Sequence, residues 1–598
     1  MTNQAVYKID GRDLYYTFLA GAQRILQHQS ELNKMNVFPV NDKDTGTNLA
    51  STIRSILDNI KPNRSFTVTA GLIADAALIG ARGNSGVIFA QFLYGISLET
   101  ENKIELTLKE FAEIIIKTVN YIYEAVANPV EGTMLTVIKD WAEYIYSKKE
   151  IQTNFKLLFV ESLEILKTSL QETKQKLKIL QISNVVDAGA KGFVVFIEGI
   201  TDLIINRNIR HLVSETSQSI TIIHSEENTN DIIDFRYCTE AMIKNLTIKN
   251  TDIQAILKRY GDSAVVAGSD KAKRIHVHTN NPAELFYELK DHGTITFQKV
   301  DDMIRQNDIA KHRKWNIAIV TDSTCDLSQD IIENYQINVL PFNVNFGDNH
   351  FLDKVTITPN QFYDMLESSD TYPTTSLINE QAFVNLYSHL ASHYDAIISI
   401  HISGELSGTF KNSQKAAEKI SKEFNKPIYV YDSKILSGAL GLLVYRTAQA
   451  IESGMEMEML INSIEDWINK TKIYVSVNTL KYFIKGGRVS KPKGFISNLL
   501  NIKPIVSVNK NGKAELIGKA FSLKSNIKKV MKLVTKINSD TKILNYIVLH
   551  AHNTEGADTY VKFMTELTGK APVSIVNISP AIGINAGIGA AAVSLIIN

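Results

Sequence analysis

Apolar residues recur every three or four positions from residue 13 to about 205, and beyond residue 231 they gather instead into short β-rich runs. A helical period and a strand period bury different faces, so the chain must divide into a helical part and α/β parts. Its 598 residues point the same way. A single core stops growing at ~250–300 residues, and three or so domains are expected.

The first helix sets the pattern, with Leu14, Phe18, Leu19, Ala22, Ile25 and Leu26 on one face. The same spacing over 50–60, 73–80, 85–96, 106–126, 132–147, 154–176 and 189–205 predicts a mostly helical domain over 1–205. Residues 206–230 are polar and poor in large side chains, which predicts a linker. Over 231–312, expected strands at 239–248, 264–267 and 274–279 and helices at 253–260 and 282–291 make a small α/β domain. From 315 to 598, apolar runs at 317–320, 339–345, 396–401, 428–431, 474–477, 546–549 and 573–578 alternate mostly with helical stretches, predicting α/β structure with substantial parallel sheet. The last 28 residues, 571–598, lack charge and are long enough for a bilayer. Pro572, Pro580, Gly583, Gly587 and Gly589 interrupt them, however, and predict a buried strand, a Gly-rich turn and a buried terminal helix.

Charge and cysteine content exclude some classes. Lys+Arg 64 against Asp+Glu 63, with no basic block, argues against a nucleic-acid or anionic-membrane partner. Two cysteines, Cys238 and Cys325, cannot frame a disulfide fold and suit a reducing compartment. Met1 to Arg12 has no apolar run, so no signal peptide and a cytoplasmic location are expected.

Three groups of residues carry chemistry. Asp42 and Asp44, one residue apart before Thr45-Gly46-Thr47-Asn48, read either as a hard-cation site suited to Mg²⁺ or as an N-capped helix start. The loops Gly80 to Gly86, Asn128 to Thr133 and Val186 to Gly192 each precede a helix, where glycines let backbone N–H groups approach phosphate oxygens. His276 and His278 share one face of a strand and with Cys238 make a zinc-type ligand set, or else an exposed strand edge and a buried free thiol. In the last part, strand-end loops hold Thr375, Ser376, Ser407, Gly408 and Arg488, placed to receive an anionic headgroup.

The succession Asn36-Val37-Phe38-Pro39-Val40, Asp42-x-Asp44-Thr45-Gly46-Thr47-Asn48, Ala81-Arg82-Gly83-Asn84-Ser85-Gly86, Pro129-Val130-Glu131-Gly132-Thr133 and Val186-Asp187-Ala188-Gly189 resembles the ATP-binding L domain of the dihydroxyacetone kinase superfamily, and within it the catalytic subunit of bacterial fatty acid kinase. That resemblance implies an eight-helix barrel binding ATP and Mg²⁺, with metals on Asp42 and Asp44 and phosphates over Gly83, Asn84, Ser85 and Gly86; Asn36, Thr45, Asn48, Gly132, Thr133 and Asp187 complete the motif. Where the family reads Pro-Asp-Gly-Asp, this chain has Asn41-Asp42-Lys43-Asp44. Cys238 followed by His276-Val277-His278-Thr279-Asn280 resembles the middle domain of the same kinase, which implies Zn²⁺ on Cys238, His276 and His278. Residues 315–598 resemble the DegV family of fatty-acid-binding proteins, implying a two-lobed α/β domain with a buried acyl chain and its carboxylate on Thr375, Ser376 and Ser407. The family's closing loop has a His where this chain has Asn585, an amide that hydrogen-bonds without charge.

Together these resemblances imply a multidomain kinase that phosphorylates a fatty acid held in its own lipid-binding domain. The acyl phosphate formed would feed lipid synthesis through an acyltransferase, with room for transient membrane-surface contact and a homodimer. Two other readings stand beside it: a lipid-binding protein with a degenerate kinase half, and a small hydroxy-ketone kinase of the dihydroxyacetone type.

Overall fold

The computed structural model describes residues 5–38, 43–206, 233–269, 271–487 and 502–598, so the expected linker lies outside the described residues from 207 onward. They form two compact units, Met1–Leu285 with Leu289–Ile304, and Phe286–Glu288 with Arg305–Asn598.

The first unit begins with helices α1 (Gly11–Gln27), α2 (Gln29–Met35), α3 (Thr45–Asn59), α4 (Phe66–Gly80), α5 (Gly83–Leu98), α6 (Leu108–Ala125), α7 (Met134–Lys148), α8 (Phe155–Lys176), α9 (Lys178–Ser183) and α10 (Ala188–Asn206). The eight expected helices are all present. The two additions, α2 and α9, have 7 and 6 residues and are too short to show a period. Reciprocal caps fix two of the starts, Asp10 with Asp13 at α1 and Thr107 with Glu110 at α6. Strands β1 (Lys8–Asp10) and β2 (Glu105–Thr107) pair antiparallel just ahead of these caps. Helix α10 is apolar nearly all round, and Phe193 on it meets Phe92 and Trp141 edge-on while Phe196 meets Phe18 and Phe89.

The same unit contains a four-stranded antiparallel sheet in the order β4-β5-β3-β6, with β3 at Tyr237–Lys244, β4 at Gly261–Ser269, β5 at Ala272–Thr279 and β6 at Thr294–Asp302. The last strand was not expected, because its polar sequence masks the alternation. Register decides what shares a face. Cys238 lies opposite His278 and Glu240 opposite His276, while Asp301 and Lys299 extend the same two rows on β6. The sheet is fastened to the helices by an isolated Val126–Val265 bridge and by Gly268 N–H donating to Gln91 Oε1.

The second unit has three sheets. One is fully parallel, ordered β13-β12-β7-β8, from β7 (Ile317–Asp322), β8 (Asn338–Leu340), β12 (Ala396–His401) and β13 (Ile428–Asp432). A small antiparallel sheet joins β9 (Asn343–Phe346), β10 (Asn349–Leu352) and β11 (Thr374–Ser376). A six-stranded sheet, ordered β16-β15-β14-β19-β17-β18, contains β14 (Thr471–Ser476), β15 (Lys503–Val508), β16 (Ala514–Ala520), β17 (Ile543–His550), β18 (Ser574–Asn577) and β19 (Ala591–Ile597).

Two expectations are corrected here. The larger sheet is antiparallel except for β17 with β18, so the parallel arrangement holds for the four-stranded sheet only. The terminal segment is a strand between β14 and β17 and not a helix. Ala591 to Ile596 are buried on both faces, so no alternation marks the run as a strand. The tight turn leading into it uses Gly587 at φ +73 and Gly589 at φ +88. Among the described residues no helix is long and apolar enough to cross a membrane.

Candidate functional site

Four helices of the first unit start at loops that meet. An ideal Cβ on Gly83 would lie 2.1 Å from Asn48 Nδ2 of α3, one on Gly86 2.6 Å from Thr52 Oγ1, and one on Gly189 3.2 Å from both Ser85 Oγ and Met134 Cε. Gly83 also sits at φ +55, so both its conformation and its closeness to Asn48 require glycine. Asn48, Gly83, Ser85, Gly86 and the starts of α7 and α10 are thereby gathered at one place.

At this place Asp44 occupies the N-cap of α3, yet its side chain makes no capping hydrogen bond. Asp42 lies outside the described residues. Lys43 holds φ +54, the left-handed conformation that the motif's usual glycine adopts freely. Asn36 and Thr45 are buried beside this turn. In the first turn of α5, Gly83 N–H donates to Glu240 Oε1 at 2.6 Å and Gly86 N–H to Arg82 O at 3.0 Å. Among the described residues, the N–H groups of Asn84 and Ser85 have no acceptor, which leaves a helix N-terminus prepared for an anion.

Gly132, Thr133 and Asp187 shape the neighbouring helix starts. Gly132 N–H donates to Thr136 Oγ1 at 2.8 Å, and Thr133 Oγ1 donates to Val130 O at 2.8 Å. Asp187, only 5% exposed, accepts from Ala190 N–H at 2.7 Å, with Met134 and Gly189 N–H also directed at it. Burial lifts its carboxyl to about 6 in spite of these donors. Because this value exceeds that of an unfolded aspartate, the folded state holds the proton more tightly. Its contribution to stability is then full below about pH 4 and is lost as pH rises through about 6, a loss of about 3 kcal/mol. Asp187→Asn keeps the acceptor and removes the titration. The fall in denaturation midpoint between pH 4 and 7 should be smaller in this variant than in wild type; an identical fall would refute the assignment.

The sheet places Cys238, His276 and His278 so that one ligand atom from each lies within 4.8 Å of the others. His276 Nε2 is buried without a hydrogen-bond partner. Burial, reinforced by His276, lowers His278 to about 3, which keeps its imidazole neutral and able to ligate. Burial pushes the Cys238 thiol well up, with Glu240, Asp301 and Asp44 adding to the effect. A bound dication reverses such a shift and deprotonates the thiol outright. Asp44 thus lies within electrostatic reach of this cluster. Zinc fits the donor set and the orphaned nitrogen.

Behind the cluster is a buried network that the sequence reading missed. Glu240, 2% exposed, accepts from Arg274 Nη2 at 2.7 Å and Arg82 Nη1 at 3.3 Å, and Arg274 Nη2 also donates to Ala81 O at 2.9 Å. Both guanidinium groups stack on Phe297. Burial alone would raise the Glu240 carboxyl, but His276, Arg274, Lys299 and Arg82 hold it well below the usual range. The available signal was its place two residues from Cys238 on the same strand face.

The second unit encloses a cavity of about 420 Å³, within the ~300–1,000 Å³ range of small-molecule sites. Thr375, Ser376, Ser407, Gly408 and Asn585 line it; Arg488 lies outside the described residues. Phe342, Ile402, Ile473, Phe483 and Val506 supply apolar wall, Thr324 from the strand-end loop 321–324 joins the hydroxyl lining, and Ser437 and Ser507 are polar lining not anticipated from sequence. The lining residues Ser407 and Gly408 lead into the helix Thr409–Phe424, with Gly408 at its N-cap, where the helix dipole favours an anion. Asn585 Oδ1 is buried without a hydrogen-bond partner among the described residues. Behind the wall, buried Asp322 accepts from Thr324 N–H at 3.1 Å and Ile402 N–H at 3.0 Å, and His401 Nδ1 lies 3.1 Å away, fixing two lining residues.

Comparison with known proteins gives three successive matches along the chain. The model of the DAK2 domain matches residues 39–202, that of the FakA-like middle domain, of the fatty acid kinase type, residues 234–309, and that of the DegV family residues 316–598. An uncharacterized protein of Staphylococcus saprophyticus is 31% identical over 332 residues, 53% of this chain and 60% of its own length. Protein YloV of Bacillus subtilis is 31% identical over 316 residues, 51% of this chain and 57% of its own. The chain therefore spans less than two thirds of these relatives. Among solved structures, DegV of Bacillus subtilis, described as a fatty acid binding protein, has 28% identity and a TM-score of 0.43 over 48% of this chain and 100% of its own. A DegV family protein of Thermus thermophilus, described by its fatty acid binding, has 27% identity and a TM-score of 0.43 over 47% of this chain and 100% of its own. The chain thus matches, in order, the models of a DAK2 domain, a FakA-like middle domain and the DegV family.

Proposed function

We propose that this protein transfers the γ-phosphoryl group of ATP to the carboxylate of a fatty acid held in its DegV-family domain, releasing ADP and an acyl phosphate. One observation carries the reading: a single chain has both an anion-ready helix start beside Asp44 and an apolar cavity edged with hydroxyls. A fatty acid is already ionised at neutral pH, with a pKa of about 4–5 like other carboxyls, so no general base is needed. A carboxylate oxygen forms the new O–P bond while the bond from Pγ to the β,γ-bridging oxygen breaks, its electron pair leaving with ADP.

The demand on the protein is positioning two anions against each other. Asn84 and Ser85 N–H groups receive phosphate oxygens, and Asn48 borders them. Asp42 and Asp44 hold Mg²⁺, which when bound neutralises charge on the transferring group. Thr375, Ser376 and Ser407 orient the carboxylate, Asn585 and Arg488 complete the headgroup site, and the apolar wall shields the chain from water. The acyl phosphate is a mixed anhydride, suited to an acyltransferase in the cytoplasm. Fatty-acid-dependent ADP release tests the reading, and its absence with every fatty acid tried would remove it.

Cys238, His276 and His278 hold Zn²⁺ in the same reading. Purified protein should carry about one zinc per chain by elemental mass spectrometry, with three protein ligands leaving a fourth position open. Cys238→Ser with His278→Ala should carry none; unchanged zinc in that variant contradicts the ligand set.

A further inference from the structure

We propose that Glu240 is a positioning residue for the phosphate-facing loop: its carboxylate, supplied by the middle domain, fixes the Gly83 amide and the Arg82 guanidinium and so aims the free N–H groups of Asn84 and Ser85 at the nucleotide. This inference rests on the reading of that loop as the ATP site.

Of the first three N–H groups of α5, that of Gly83 alone is satisfied across domains, by Glu240 Oε1 at 2.6 Å. Gly83 turns through φ +55, in the left-handed region, and its N–H is taken by Glu240 Oε1. The turn is therefore held from behind. Oε2 of the same carboxylate takes Arg82 and Arg274, and Arg274 binds back to Ala81 O, so three consecutive loop residues are tied to one side chain or its partner. His276 Nδ1 lies 3.7 Å from Oε1, which makes the tie continuous with the Cys238 cluster. Lys299 is the remaining cation acting on Glu240, and it is itself paired with Asp301.

An arrangement of this kind is costly to build. A carboxylate and a guanidinium, 2% and 1% exposed, gain little net stability over an apolar replacement of the same shape. What it adds is a unique loop conformation, and the loop is where the phosphates would sit. Middle domain and helical domain are then two parts of one nucleotide site.

Removing Glu240 alone would strand two cations and risk unfolding, so two neutral pairs isolate the effect. Glu240→Gln with Arg274→Met keeps an acceptor for Gly83 N–H, whereas Glu240→Met with Arg274→Met has the same bulk without one. Affinity of the full-length protein for ATP with Mg²⁺, measured by calorimetry, should be about tenfold weaker in the Met/Met protein than in the Gln/Met protein, the size of one lost hydrogen bond at a buried donor. Both should remain folded, the Met/Met protein melting somewhat lower for its unsatisfied donor, and both should keep the same affinity for a fluorescent fatty acid. Equal ATP affinities in the two proteins would overturn the inference. So would tighter binding by the Met/Met protein, since Glu240 would then compete with phosphate for the Gly83 amide. A wild-type protein that does not bind ATP with Mg²⁺ would remove the underlying ATP reading instead, a result separable from both.

Discussion

Asp42→Asn together with Asp44→Asn should abolish fatty-acid-dependent ATP turnover while leaving the fold intact. Asp44 sits at the N-cap of α3 with no capping hydrogen bond from its side chain. Asparagine has the same shape and is as good an N-cap, which predicts a melting temperature within a degree or so of wild type. What disappears is negative charge next to the phosphate-binding amides. Losing one well-placed electrostatic contact to a transition state costs about 10²–10³ in rate, and the pair carries the metal as well. The measurement is steady-state ADP release at saturating ATP and a range of Mg²⁺ concentrations. Turnover unchanged in the double variant would sink the metal assignment. Asp44→Asn alone should be partly rescued by high Mg²⁺ if the remaining aspartate still ligates.

The second large effect concerns the lipid. Thr375→Ala with Ser407→Ala removes two hydroxyls from the cavity lining without altering its apolar wall. Hydrogen bonds to a charged group contribute about 1.5–3 kcal/mol each, so with two removed fatty acid affinity should fall by about 100-fold or more. ATP affinity should not change. Native mass spectrometry should find an acyl chain on wild-type protein and much less on the variant. A variant that keeps its lipid and its affinity would show that the carboxylate is held elsewhere in the cavity.

The helical domain could be read from its sequence because amphipathic helices repeat their pattern over several turns: α1, α6 and α8 each announce a buried stripe and a polar start. Helices α2 and α9 end before a repeat can form. In the second unit, β12 was legible to the residue, since Ala396 to His401 is a short β-rich run between helical stretches. The reading failed at β19, where burial on both faces erases alternation, and at β16, whose exposed edge position leaves charged and apolar residues mixed. Strand direction was not legible either, because parallel and antiparallel neighbours bury the same side chains.

The candidate sites followed a similar logic. Cys238, His276 and His278 came from period-two geometry, and the register of β3 against β5 brings them together. The glycine loops came from backbone requirements, which glycine makes visible. Glu240 escaped because a single acidic residue in a strand looks the same whether it faces solvent or a buried pair of arginines. Its role depends on Arg82, 158 positions away, and sequence spacing carries no trace of that contact.

In the proposed reaction the phosphoryl group ends on a fatty acid carboxylate. Incubating the full-length protein with ATP, Mg²⁺ and a long-chain fatty acid, then trapping with hydroxylamine, converts any acyl phosphate to a hydroxamate that mass spectrometry can count. Acyl hydroxamate is expected in equal amount to the ADP formed, and neither product without fatty acid. ADP without hydroxamate, or no ADP at all with lipid demonstrably bound, would contradict the proposed transfer.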